Sequence, residues 1–403
     1  MRLKAGFGLA KSEGITMTST DDTRWGLVLV IWAAGLGAAA QYGKISVVFD
    51  RMGELYPLAG GSIGFTVSLV GLLGILFGVV AGMFVAAFGY RRTLVWALWV
   101  GAAMSALQAL HLPFQAFLAT RVVEGISHLG VVVAGPTLIA HVSTEKTRGL
   151  AMTLWSTFFG VAFALLVWFG LPLVNAFGVL SLFGAHAAIM AGLAILLSVA
   201  LRDVPVPERR PVPKLANLPA LHWRIYRSPW LVAPAAGWLF YTACFVAILT
   251  VIPPFIDEEM RGIVLGAMPL ASIAVSMTIG VYLLRFIPAV RLVQLGFLLC
   301  VLMGVWLLLV PGSPLACIAL AGAMGLVQGG SFALVPQLND TAADQAQSSG
   351  AMAQAGNLGN TIGTPLMVTS LSVAGYSGML GTVVVLFLAG FGVHTLLAMR
   401  RRF

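Results

Sequence analysis

Charge is scarce in this 403-residue chain: 9% of residues are charged and 59% are hydrophobic, where soluble domains carry about a quarter charged residues. That deficit excludes an ordinary soluble globule. Cysteine is scarce too, and Cys244, Cys300 and Cys317 all sit in apolar stretches without metal-ligand spacing. They read as small hydrophobes in packed helices, and no metal or other cofactor is expected. No HExxH, GxSxG or Cys/His cluster is present and the few acids lie mostly in loops, which argues against an enzyme. The missing P-loop excludes ATP as the direct energy source, and no filter or ring of charge points to a channel. The opening MRLKAGFGLAKSEGITMTSTDDTR lacks the apolar core of a cleavable signal and reads as a tail.

What the chain does have is apolar runs of about 20 residues, each long enough to cross roughly 30 Å of hydrocarbon as a helix. Twelve are expected, at about 25–48, 62–86, 93–112, 114–140, 149–174 and 179–201, then 229–252, 262–284, 290–310, 315–338, 349–373 and 380–399. Basic residues collect on alternate connections. Arg2, Lys4, Lys11, Arg24, Arg91, Arg92, Lys146, Arg148, Arg202, Arg209, Arg210, Lys214, Arg224, Arg227, Arg285, Arg291 and Arg400 to Arg402 fall on one side, against Arg51 and Arg261 on the other. This asymmetry places both termini in the cytoplasm. It also accounts for the net charge of +9 through anionic lipid rather than nucleic acid.

The organisation is bipartite. A tail over 1–24 precedes a six-helix bundle at 25–201; a basic, proline-bearing linker at 202–228 leads to a second bundle at 229–399 and a short tail at 400–403. Prolines in the linker predict an extended connector. Two local echoes support a duplication. VVEGISHLG pairs with LVQGGSFAL, aligning Glu124 with Gln328, Gly125 with Gly329 and Ser127 with Ser331, and AMTLWSTFFG from Ala151 pairs with AMAQAGNLGN from Ala351. Both echoes are about 200 residues apart, as related halves require.

Two motifs sharpen the picture. GMFVAAFGYRRTL between the second and third spans sets Gly82, Gly89, Arg91 and Arg92 in order, and LATRVVEGISHLG in the fourth carries Arg121, Glu124 and Gly125. With the six-plus-six organisation, they resemble the major facilitator superfamily of secondary transporters over essentially the whole chain. The resemblance implies an all-α membrane protein of two pseudo-symmetric six-helix bundles, and a loop after the second span that latches the halves. Ala86 stands where the family usually has Asp, which puts that latch in doubt.

Helical geometry gathers Arg121, Glu124, Gly125 and His128 within roughly a 100° arc of one face. Unpaired charge at mid-bilayer costs several kcal/mol, so this face must look inward. Two roles fit: a structural Arg121–Glu124 ion pair, or groups that bind solute and carry a proton, with Glu124, the one carboxylate clearly inside a span, as the proton-responsive acid. Gly125 lets a neighbouring backbone approach. Other candidate solute contacts are Gln41, Tyr42 and Lys44 in the first span, although Lys44 also suits snorkelling to the interface. Gln328 and Ser331 add to them, as do Gln354, Asn357, Asn360 and Thr361, three of which are amides that either bridge helices or hydrogen-bond a solute. Trp155 and Tyr241 are candidate aromatic walls, against a simple packing role. His186 and His394 fall in spans that the resemblance puts at the periphery, and neither is selected.

Lys44, Arg121 and His128 against a single Glu124 favour an anionic or zwitterionic solute, and the first and fourth spans loosely resemble transporters of small organic anions. The expectation is a monomeric, proton-coupled carrier in the inner membrane that works by alternating access. Only Gly170 and Pro172 remain of the fifth-span motif of the family's exporters, which tilts direction toward uptake. Export, or a scaffold using the fold without transport, are the alternatives.

Overall fold

The computed structural model describes residues 23–204 and 218–401. The basic residues Arg2, Lys4, Lys11, Arg209, Arg210, Lys214 and Arg402 lie outside the described residues. Those described are almost wholly helical, without a β-strand. In hydrocarbon no water can satisfy backbone N–H and C=O groups, and a helix closes these bonds within one segment. Among the described residues, ten helices have the length and apolarity to cross a membrane, and the protein is a multi-pass membrane protein.

The first half contains α1 (Trp25–Ser46), α2 (Gly60–Phe88), α3 (Tyr90–Gln108) and α4 (Phe114–His141). It is completed by α5, formed by Glu145–Ser156 and Phe158–Phe177 in succession, and α6 (Val179–Ala200). A linker helix, α7 (Leu218–Arg227), precedes α8 (Ala233–Val251), α9 (Glu258–Leu283), α10 (Ala289–Leu309), α11 (Pro314–Leu338) and α12 (Ala342–Arg400). Every one of the twelve apolar segments expected from the sequence is helical. Of the linker, 218–227 is a helix rather than an extended connector, while the prolines at 205, 207, 211 and 213 on which that expectation rested lie outside the described residues.

Helix α12 is not one rod. Ala374 (φ −131°) and Gly375 (φ 63°, ψ −160°) leave helical geometry. The Thr382 hydroxyl donates to Ser370 Oγ at 2.9 Å, although residues 12 apart in a straight helix would be separated by about 18 Å. The helix therefore folds back as two antiparallel arms. Glycine is required at 375 because the left-handed conformation penalises a Cβ.

α1, α3, α4 and α6 pack together in the first half, while α8, α10, α11 and α12 form the second. The halves meet where α2 lies along the first arm of α12 and α5 lies along α9. Small residues permit the approach: Gly64 abuts Pro365, Gly78 abuts Gln354 and Gly160 abuts Ile273. Gly125, as its sequence context predicted, lets α4 approach the Val70 carbonyl of α2. Both helices of the α5–α9 contact contain a π-helical segment, Leu166–Gly170 and Ser276–Gly280. In α5 the cause is local, since Pro172 has no N–H to donate to the Trp168 carbonyl. Residue 24, Gly89, the linker and residue 401 all lie at one end of the bundle, called the terminal end below. Tyr56, His111 and Gly312 lie at the far end.

Candidate functional site

Within the first half, five helices converge on one carboxylate. Glu124 on α4 is fully buried, as are Lys44 and Arg121. Lys44 Nζ on α1 donates to Glu124 Oε1 at 2.7 Å and to Ser105 Oγ of α3 at 2.6 Å, and lies 3.4 Å from His186 Nδ1 of α6. All three ammonium protons thus have an acceptor. His186 Nε2 donates to the Gly37 carbonyl at 2.9 Å, which leaves Nδ1 as the acceptor facing Lys44 and Ser105. The ammonium also lies 5.7 Å from the centre of the Phe183 ring, a cation–π distance.

The other carboxylate oxygen is equally committed. Glu124 Oε2 accepts from Arg121 and, at 3.0 Å, from Gln108 Nε2. Arg121 spends its remaining donors on backbone: Nε on the Thr66 carbonyl of α2 at 2.6 Å and the second terminal nitrogen on Gln41 O at 2.5 Å. Two cations therefore share one acid. With every partner supplied, the desolvation of three charges is offset by direct ligation, and removal of Glu124 would leave two buried cations uncompensated. Gln41 donates to Ser127 Oγ at 2.7 Å on the same inner side of the half.

The sequence-selected residues thus divide into groups. Gln41, Lys44, Arg121, Glu124 and Ser127 form the network inside the first half, and Lys44 is buried there rather than reaching the interface. Ser105, Gln108 and His186 belong to it and were not selected from sequence. Tyr42 and His128 take the next position outward, their rings edge to face at 5.1 Å, with His128 Nδ1 bonded to the Ala38 carbonyl at 3.0 Å. Trp155 packs against Gly35 and Gly135, bridging α1 and α4.

Between the halves runs an aromatic seam. On α8, Trp238, Tyr241 and Phe245 stack nearly parallel, at 4.7 Å and 5.3 Å with interplanar angles of 15° and 18°. On α5, Phe159 and Phe163 stack at 5.6 Å and 20°. Phe245 meets both of these edge-on, at 6.5 Å and 6.3 Å. Behind the seam, Tyr241 Oη and Ser272 Oγ each donate to Gln328 Oε1 at 3.3 Å, so Gln328 organises the second half where Glu124 organises the first. Ser331 lies apart from Gln328, near Gly237 and His394.

The amides of α12 do different work from one another. Gln354 Nε2 crosses to the Ile75 carbonyl of α2 at 2.5 Å, and Thr361 Oγ1 crosses to Ser68 O at 3.2 Å. Asn357 turns back on its own helix at Ala353 O, 2.8 Å away. Asn360 and, in the opposite half, Tyr42 face each other across the seam, with Asn360 in hydrogen-bonding reach of the Tyr42 hydroxyl.

Residues 27–366 match the profile of the Major Facilitator Superfamily. The chain belongs to that superfamily. No curated protein sequence matches it. It is similar to the crystal structure of the human organic anion transporter MFSD10 (TETRAN), with a TM-score of 0.62 and 16% identity over 91% of this chain and 98% of that one. At that identity the likeness speaks for the fold.

In this superfamily member the loop between α2 and α3, which the sequence resemblance implied would latch the halves, bonds within its own half through Arg91. Gly89 turns the chain with φ 103°, which explains that glycine. Arg91 donates to the carbonyls of Arg202 and Ser198 at 2.9 Å and 3.1 Å, both at the end of α6 in its own half. Arg92 is exposed, Ala86 is buried, and a Cβ on Gly82 would meet nothing within 4 Å.

Proposed function

We propose that the protein carries a small organic anion or zwitterion across the cytoplasmic membrane by alternating access, coupled to protons and running toward uptake. The observation that carries this reading is the pairing of two buried cations, Lys44 and Arg121, with the single buried carboxylate of Glu124. A proton on Glu124 cancels the charge that holds both cations. The carboxylate of an incoming solute then compensates Lys44 and Arg121 in its place, so proton and anion travel together without changing the charge of the network. The aromatic seam supplies the apolar wall and Tyr42 and Asn360 the polar contacts that orient the solute. The fold neighbour MFSD10, a human organic anion transporter, supports this substrate class.

Rocking of the halves suits the contacts between them, which are glycine-lined and contain π-helical segments on α5 and α9. The basic terminal end faces the cytoplasm by the positive-inside rule. Proteoliposomes test the coupling. Glu124→Gln abolishes accumulation driven by a pH gradient and leaves counterflow exchange of the same anion measurable. Undiminished proton-driven accumulation by Glu124→Gln refutes the reading.

A further inference from the structure

At the terminal end, the α2–α3 loop makes no bond across to the second half through Arg91, whose guanidinium is spent on carbonyls of its own half, and the nearby Ala86 offers no charge. The halves are nevertheless tied there. The tie runs through α7, whose three faces have separate tasks. Leu221 and Ile225 face inward, where they join Leu231, Ala235, Ala351 and Ala355 of the second half and Val79 of the first in one apolar cluster. On the next face, Tyr226 Oη donates to Gln354 Oε1 at 2.6 Å, and the same amide donates to the Ile75 carbonyl of α2 at 2.5 Å. Arg224 pairs with Asp344 at the start of α12 at 3.2 Å, fixing the helix along its length. Trp223 and Arg227 point away from the bundle, the guanidinium 5.8 Å from the ring centre.

We propose that Tyr226 and Gln354 are the positioning residues that hold the terminal end closed, with the linker helix α7 taking over the latch that the α2–α3 loop has lost. The relay is continuous: linker hydroxyl, α12 amide, α2 carbonyl. Gln354 can make both bonds at once because its amide offers an acceptor to α7 and a donor to α2. Its backbone sits against Gly78, so separation of α2 from α12 breaks the Ile75 bond first and takes Gln354 out of line with Tyr226. Burial raises the Tyr226 hydroxyl above its ordinary pKa, so it remains a donor throughout the physiological range. Opening toward the terminal end then breaks the Gln354–Ile75 bond that Tyr226 orients and the contact of the apolar face of α7 with Val79, which makes the linker a part of the transport cycle. The inference rests on alternating access but not on the nature of the solute.

The test needs no substrate. Spin labels on Arg92→Cys and Arg285→Cys report the separation of the halves at the terminal end, since both positions are exposed and the three native cysteines are buried. Tyr226→Phe, which keeps the ring and its stacking on His222, raises the population of the open-end distance about fivefold, the change expected from one net hydrogen bond. Gln354→Ala, which severs both bonds and also the 3.4 Å contact of the amide nitrogen with His222 Nε2 on α7, raises it further. Arg91→Ala leaves the distribution unchanged, and thermal melts of the Tyr226→Phe and Arg91→Ala proteins coincide. No shift with Tyr226→Phe, or a shift as large with Arg91→Ala, overturns the proposal.

Discussion

Lys44 illustrates how much a single buried residue can depend on its surroundings. Each ammonium proton has an acceptor drawn from a different helix, α3, α4 or α6. Lys44→Met keeps much of the stem and removes the charge, leaving Glu124 with Arg121, Gln108 and Ser105. Because Arg121 stays as the counter-ion of Glu124, the cost is below the roughly 3–5 kcal/mol of leaving a buried charge wholly unpaired, and the detergent-solubilised variant is expected to melt at a lower temperature than the parent protein. A melting temperature equal to the parent's would show that Lys44 is not a committed member of the network. A milder case is Tyr241→Phe, which keeps the stack with Trp238 and Phe245 but loses the donor to Gln328. Its expected cost is about 1 kcal/mol, with solute affinity reduced several-fold in a binding titration; an unchanged affinity would place Gln328 outside the solute's surroundings.

Among the elements, the folded-back α12 depends on one backbone conformation. Gly375 has φ 63° and open space around its missing Cβ, so Gly375→Ala introduces conformational strain without a collision. That strain is about 1 kcal/mol, visible as a small fall in melting temperature, whereas Gly→Ala at Gly363, pressed on the Ala243 carbonyl, is expected to prevent normal packing of α8 on α12. Equal effects at the two sites would contradict this distinction. Pro172 offers a complementary test. Restoring an N–H with Pro172→Ala allows α5 to regain regular hydrogen bonds through its π-helical segment and is expected to slow exchange between conformers, read as a lower transport rate with unaltered affinity.

For the whole molecule, legibility tracked the sequence distance over which each feature is built. Arg121, Glu124, Gly125 and His128 could be assigned to one face because they are three or four residues apart on a single helix. The apolar segments were equally plain, since hydrocarbon imposes the same length on each. What assembled around Glu124 was not legible: Ser105 and His186 come from helices far apart in the chain, and a general rule about peripheral spans hid His186. Had the one lysine of the first span been required to find acceptors, a search for polar residues at matching depth would have found them. The linker helix escaped notice for a compositional reason. The prolines ahead of it, at 205, 207, 211 and 213, mask the helical stretch LPALHWRIYR, in which Leu221 and Ile225 are four residues apart.

The central claim joins a proton to an anion at Glu124, and simultaneous measurement of both fluxes tests it most directly. Proteoliposomes containing a luminal pH dye and facing an inward gradient of an organic anion selected by thermal stabilisation should acidify only when protein is present, in proportion to anion entry. With Glu124→Gln, residual anion movement should proceed with no change in luminal pH. Anion entry without acidification in the parent protein, or acidification preserved in Glu124→Gln, would contradict the account.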